Sequence, residues 1–348
     1  MWPWCLTSDS VPGPLRIRCF PGRSEVGART GVVVAQLGGP ANLAEVKPFI
    51  RSIFSDPHLV PLPGGARTRA AVSTLVANVR APRVRSYYEL IGGGSPLVAT
   101  TQLQASALDM ELAARGHDTV VVVAHRHSRP DTGAAVDAMV TAGVGHIVML
   151  PLFPQHSDST TGSSEAELRQ TLSERGIDLP LTVIHSWCQH PSYLAAQTQL
   201  VEEMLAEVPD ENLSTALLVF SAHGLPQRVV DQGDLYPEEV EATVAGVMSR
   251  LQRSVDHVIA YQSRTGPIRW IGPDVREVIA TAAADRLKWL GVVPISFVSD
   301  HVETLYEIDI EMKDLSADVG IGDFHRSRVL GVDPIVGPML ADIVQDQL

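Results

Sequence analysis

The sequence predicts an α/β fold of two similar Rossmann-like halves, each a parallel β-sheet flanked by helices, with the active-site cleft between them. Three observations carry this expectation. β-branched apolar runs recur along the chain, and each is followed by a stretch of helical character. The runs are near-continuous rather than alternating, the pattern of strands covered on both faces. With 348 residues and an apolar share of 45%, the chain can fill such a core.

In order, GVVVAQL (31–37) precedes GGP and the amphipathic NLAEVKPFIRSIF, and DTVVVVAH (118–125) precedes a helix near 132–142. GHIVMLPLF (145–153) leads to a helix near 162–175, and LTVIHSW (181–187) to YLAAQTQLVEEMLAEV. ALLVFSAH (216–223), HVIAYQS (257–263) and VVPISFV (292–298) continue the alternation. No repeat is obvious in the residues, yet these units divide into halves near Trp187–Pro191. Residues 31–186 with 333–348 form the first half, including the lip of the cleft, and 187–332 form the second. Residues 1–30 read as a disordered N-terminal extension. A targeting segment is the alternative, since Arg16, Arg18, Arg23 and Arg29 face only two acids, but no amphipathic helix appears there.

Composition removes several functions. A net charge of −13 argues against nucleic acid, whose phosphates need a basic face. Cys5, Cys19 and Cys188 are odd in number and far apart, which predicts a reducing, cytoplasmic setting and no disulfide framework. No CxxC and no apolar run of roughly 20 residues occurs, so no zinc ribbon and no membrane span is expected.

In open parallel sheets ligands bind beyond the carboxyl ends of the strands. FVSDHVETLYEIDIE (297–311) follows such an end. Asp300 and Glu303 fit a capping box, with Asp300 as N-cap. Against that reading, Glu303, Glu307 and Glu311 stand at i, i+4 and i+8, where like charges repel, and no lysine relieves them before Lys313. A cation, or protons passing along the column, explains the arrangement better. FSAHGLP (220–226) places His223 at another strand end, where a lone histidine is more often structural. LFPQHSDSTTGSS (152–164) lacks the glycine–lysine arrangement of a phosphate loop and reads as a polar loop feeding a helix. YQSRTGPIRWIGP (261–273) sets Trp270 on a rigid loop, suited to a flat ligand or to simple burial. LGGP (37–40) and GGGSP (92–96) are glycine loops at helix starts, not a dinucleotide fingerprint. Residues 59–85 carry Arg67, Arg69, Arg80, Arg83 and Arg85 without an acid, either as an anion-binding segment or as a solvated amphipathic helix.

Together, LGGP, YYELIGGGSP, FPQHSDSTTGSS, SAHGLP, GDLYPEEVEATV, YQSRTGPIRWIGP and PISFVSDHVETLYEIDIE resemble the ferrochelatases in order and spacing, from Gly31 to Leu348. The resemblance implies a chelatase-type fold and insertion of Fe²⁺ into protoporphyrin IX in haem synthesis. It implies that His223 faces the porphyrin with Glu303 opposite, on the other side of the macrocycle, the two being the metal-contacting pair. His301, Glu307, Asp300 and Glu311 would be the supporting acid, proton or metal path. Leu37, Arg80, Ser95, Arg126, His127, Trp270 and Phe297 would line the porphyrin site. Fe²⁺ is then a substrate, no cofactor stays bound, and no [2Fe–2S] cluster is expected, since the chain ends at Leu348 without the cysteines some relatives carry. Porphyrin, ferrous iron and an upstream enzyme of the porphyrin pathway are the expected partners, and the run 59–63 beside arginines fits peripheral contact with a membrane.

One departure stands out. Where many relatives have an Arg-Tyr pair, this chain reads AHRHSRP, with His127 for the tyrosine and His125 and Arg129 nearby, an alteration expected to act on propionate contacts or metal handling at the cleft edge. Rival readings are a coproporphyrin III ferrochelatase, a cobalt or nickel chelatase of the same fold, and a non-catalytic porphyrin or haem carrier.

Overall fold

The computed structural model of the chain describes residues 29–60, 65–285 and 287–348. The N-terminal extension, up to position 28, and most of the 59–63 segment lie outside the described residues. Among those described, no helix is long and apolar enough to cross a membrane.

Two four-stranded parallel sheets form. The first contains β1 (Thr30–Gln36), β2 (Thr119–His125), β3 (His146–Pro151) and β4 (Leu181–Val183) in the order β2-β1-β3-β4. The second contains β5 (Ala216–His223), β6 (Asp256–Gln262), β7 (Trp289–Pro294) and β8 (Asp323–Arg326) in the order β6-β5-β7-β8. Successive side chains of a strand point to opposite faces, and both faces here are covered. Val32 and Val34 of β1 join Leu218 and Phe220 of β5 in one apolar cluster, so the two sheets share a core. Val33 and Ala35 pack under Val136 and Met139, while Val219 packs under Ile279 and Ile308. Helix Pro191–Leu205 supplies Tyr193, Leu200 and Val201 to the shared cluster, and helix Val336–Gln345 adds Met339 and Leu340.

The strand order repeats, and so do details that the residues alone did not reveal. β3 and β7 each end at a proline, Pro151 and Pro294, and each is followed by a π-helical segment, Asp158–Gly162 and Glu303–Met312. The tripeptides RPD (129–131) and GPD (272–274) each precede a helix whose N-cap is the aspartate, Asp131 accepting from the Ala134 N–H and Asp274 from that of Arg276. Two of the expected strands stop early. The run 292–298 leaves the sheet at Pro294, whose imide nitrogen has no N–H to continue a ladder, although Ile295 and Val298 stay buried. The run 181–187 is a strand only to Val183. The arginine-rich stretch forms a 25-residue helix, Ala66–Leu90.

Polar contacts tie the halves together. The Gln104 amide donates to Ser299 Oγ at 2.9 Å and to the Gly331 carbonyl at 2.7 Å. Within the second half, Tyr193 donates to the Ile295 carbonyl at 3.0 Å. The two glycine loops also meet, through Ser95 N–H and the Pro40 carbonyl at 2.8 Å. Gly94 is required there, since a Cβ would lie 2.3 Å from the Ala41 carbonyl oxygen.

Candidate active site

The carboxyl ends of β5, β6 and β7 converge on one spot. β5 ends in His223, β6 in Gln262 with Ser263 following, and the chain after β7 returns as the acid-rich π-helical segment. His223 Nδ1 lies 2.7 Å from Glu303 Oε2. Ser263 Oγ lies 2.7 Å from Glu303 Oε2 and 2.7 Å from Glu307 Oε2. The Gln262 amide donates to the Glu303 carbonyl and to Glu307 Oε2, both at 2.9 Å, while its own oxygen accepts from Ser221 at 2.6 Å. Ser263 is held at φ 63°, and no other non-glycine among the described residues has a positive φ. Such a conformation costs about 1–3 kcal/mol and persists where the surroundings impose it. Here it turns the hydroxyl between two carboxylates.

The protonation pattern follows from atom counting. One hydroxyl proton cannot serve two carboxylates, so both 2.7 Å contacts are satisfied only when one carboxyl carries a proton of its own. Burial, and then the Glu303 charge, push Glu307 up to about 7. Burial would raise Glu303 too, but the attraction of His223 and its hydrogen bond, with His301 and Ser263, bring it down to about 2. Burial works against a charged His223, yet Glu303 outweighs it and the imidazole is raised. Glu303 is thus held as a carboxylate that favours the charged form of His223, and Glu307 exchanges its proton near neutrality.

The remaining members of the acid path are placed as follows. His301 donates through Nδ1 to the Ser299 carbonyl at 3.2 Å, leaving Nε2 3.9 Å from Glu303 Oε1; burial lowers it despite Glu303. Phe297 meets its ring edge-on at 4.7 Å. Glu311 lies at the outer end, paired with Arg276 at 3.1 Å. Gln262, Ser263, Arg276, Glu307 and Met312 line a small cavity between Glu307 and that outer end.

Several expectations change. His223 and Glu303 do not face each other across a macrocycle. At 2.7 Å there is no room for a ring between them, so imidazole and carboxylates belong to the same wall of the cleft. The capping box does not form either. Asp300 accepts from the Thr304 hydroxyl at 2.8 Å and pairs with Arg326 at 3.1 Å, and the Glu303 side chain points to His223. Nor is the acid column unrelieved, since Arg276 and Arg326 approach it from outside its own segment.

The candidate porphyrin residues divide. Trp270 lies against the active-site turn, its backbone bridging Pro226 and its ring 3.6 Å from where a Gly224 side chain would stand. Leu37 and Ser95 belong to the paired glycine loops, where Ser95 Oγ accepts from the Leu97 N–H. Arg80 lies over the Phe54 ring at 5.6 Å. Arg126 engages all three guanidinium nitrogens internally, with Ser163 at 2.9 Å, Glu167 at 2.9 Å and the buried Asp56 at 2.8 Å. His127 is 1% exposed, with Nδ1 2.8 Å from Ser52 Oγ, and burial takes it down to about 4. His125 is fully buried and lowered to about 4 by burial. At His125 and His127 the AHRHSRP departure is thus a buried change, while the exposed Arg129 pairs with Asp131 at 3.4 Å. Sequence reasoning passed over Gln262, Ser263 and Arg326; YQS and FHR at strand ends were the available signals. It also gave no sign that Tyr87 of helix Ala66–Leu90 stacks on Tyr306 at 4.0 Å, joining the lip to the acid segment.

Among the described residues no group of three or more histidine, cysteine or acid side chains is arranged to hold a metal ion. His223 and Glu303 are a two-donor pair with one face open, the imidazole side chain being 40% exposed.

The chain is similar to known proteins along nearly its whole length. The ferrochelatase family model matches residues 29–348. A ferrochelatase of Geotalea daltonii is 39% identical over 317 residues, covering 91% of this chain and 97% of that protein. One from Synechocystis is 40% identical over 325 residues, covering 92% of this chain and 83% of its own length. Among solved structures, SirB from Bacillus subtilis with Fe³⁺ aligns with a TM-score of 0.57 at 13% identity, over 91% of this chain and 95% of its own, a likeness of fold.

Proposed function

Because the chain belongs to the ferrochelatase family, which inserts metal into porphyrin, we propose that it inserts Fe²⁺ into protoporphyrin IX to give protohaem, with release of two protons. The observation that carries the mechanism is the chain of contacts His223–Glu303–Ser263–Glu307. Nδ1 of His223 is turned to Glu303, so Nε2 is the atom left to meet a pyrrole N–H. When His223 is neutral with its proton on Nδ1, Nε2 accepts a pyrrole proton and Glu303 stabilises the imidazolium so formed. The Nδ1 proton then passes by way of Glu303 and the Ser263 hydroxyl to Glu307 once Glu307 has released its own proton outward toward Glu311 and Arg276. A relay works best when its groups titrate near the working pH, and Glu307 at about 7 meets that condition. Fe²⁺ enters as the porphyrin loses its protons, so charge is balanced in the product.

No resident cofactor takes part in this scheme. Trp270 and Phe297 are read as pocket aromatics, and Leu37, Arg80 and Ser95 as porphyrin contacts. The protein is placed in the cytoplasm, in peripheral contact with a membrane surface through the lip, where the sparingly soluble product leaves, and in contact with the enzyme that supplies the porphyrin.

The test is anaerobic Fe²⁺ insertion followed by absorbance, with protoporphyrin IX and coproporphyrin III in parallel. Faster turnover of protoporphyrin IX supports the proposal. Faster turnover of coproporphyrin III assigns the other substrate. Tight porphyrin binding without insertion by wild type overturns the iron chemistry in favour of a carrier or another metal.

A further inference from the structure

The acid-rich segment is an unlikely helix on its own terms. Five carboxylates, Asp300, Glu303, Glu307, Asp309 and Glu311, fall within twelve residues, and π-helical geometry rarely runs beyond one turn. Here it covers ten residues, Glu303–Met312. Something outside the segment must hold it.

Arg326, the last residue of β8, is placed to do so. Its guanidinium grips both oxygens of Asp309, at 2.6 and 2.9 Å, and reaches Asp300 Oδ1 at 3.1 Å. Among the described residues it is the only cation within ion-pair distance of either acid, and its side chain is 14% exposed. Asp300 precedes Glu303 and Asp309 follows Glu307, so one planar group pins the segment on both sides of the two relay carboxylates. A fork that binds two acids fixes direction as well as charge, which a lysine ammonium does not.

We propose that Arg326 is a positioning residue, which keeps residues 303–312 in the register that aims Glu303 at His223 and Glu307 at Ser263. The role rests on the proton-relay reading given above and adds a residue to it. Relaxation to an α-helix turns Glu307 relative to Glu303 by roughly a fifth of a turn, enough to leave Ser263 bonded to one carboxyl instead of two. Misplacement by about 1 Å commonly lowers a rate on the order of 100-fold.

Arg326→Gln, Arg326→Lys and Asp309→Asn test this in the full chain. Two measurements are read on each: amide hydrogen exchange of the 303–312 peptides without ligand, and kcat with KM for porphyrin. In Arg326→Gln the segment exchanges at least about tenfold faster and kcat falls about 10- to 100-fold. KM for porphyrin stays within about twofold, because Arg326 contacts Asp300 and Asp309 and not His223, Glu303 or Ser263. Arg326→Lys keeps the charge and does not restore kcat. Wild-type exchange and wild-type kcat in a folded Arg326→Gln overturn the proposal. If that variant does not fold, Asp309→Asn decides. Lower stability with intact kcat and intact exchange of 303–312 means a purely structural role. If wild type inserts no iron, the function fails while the exchange measurement still reports whether Arg326 holds the segment.

Discussion

Replacing Glu307 by glutamine tests the electrostatics of the site most directly. Glutamine is nearly isosteric, its carbonyl can accept from Gln262 or its amide can donate to Ser263 in place of the carboxyl proton, and the charge and the exchangeable proton disappear. In the folded chain Glu307 is raised from 4.5 to about 7, first by burial and then by Glu303. A group whose folded pKa is raised makes the fold bind protons more readily than the unfolded chain. Its relative contribution is therefore favourable at low pH and is lost as pH rises through the folded pKa. Below about pH 4, Glu307 is protonated in both states and the substitution changes stability little. Above about pH 8 the wild type carries a buried charge beside Glu303, and a shift of this size corresponds to something on the order of 3 kcal/mol. Urea unfolding at pH 5 and pH 8.5 reads the difference. Glu307→Gln is expected to be more stable than wild type by up to about 3 kcal/mol at pH 8.5, with most of that gain absent at pH 5, while kcat falls about 10- to 100-fold. An equal stability change at both pH values, or a loss confined to high pH, refutes the reasoning.

The other predictions concern separate contacts. His223→Ala lowers kcat by about 100-fold or more while porphyrin binding, read by fluorescence quenching, persists. Ser263→Gly removes the bridging hydroxyl and relieves the φ 63° backbone, so it is expected to raise stability and lower kcat together; a kcat equal to wild type would break the relay. Arg126→Ala leaves Asp56 buried and unpaired, so it costs about 3–5 kcal/mol of stability. If KM for porphyrin rises with no stability loss, Arg126 belongs to the cleft after all. Tyr87→Ala removes the stack on Tyr306, an interaction of about 0.5–1.5 kcal/mol, and frees the lip helix; faster hydrogen exchange over 66–90 is the expected sign.

Local signals in this chain were enough for most of the elements and for the candidate groups at the strand ends. Val32–Ala35, Val123–Ala124, Val219–Ala222 and Val292–Val293 declare buried parallel strands because β-branching and apolar continuity act within a few residues. His223 and Glu303 were visible because each follows such a run, where backbone ends leave side chains facing a crevice. The failures were those of distance. That His223 and Glu303 touch, rather than face each other across a ligand, depends on how β5 sits beside β7, and their positions are 80 residues apart. That Ser263 bridges two carboxylates depends on β6 lying on the other side of β5, and that Arg126 is a buried ion-pair partner depends on Asp56 and Glu167 arriving from separate helices or turns. The sequence by itself determined which groups stand at the strand ends. Only the tertiary structure decided which of them share protons, because pKa and ion pairing follow separation in space, which the backbone period of a helix or strand does not encode.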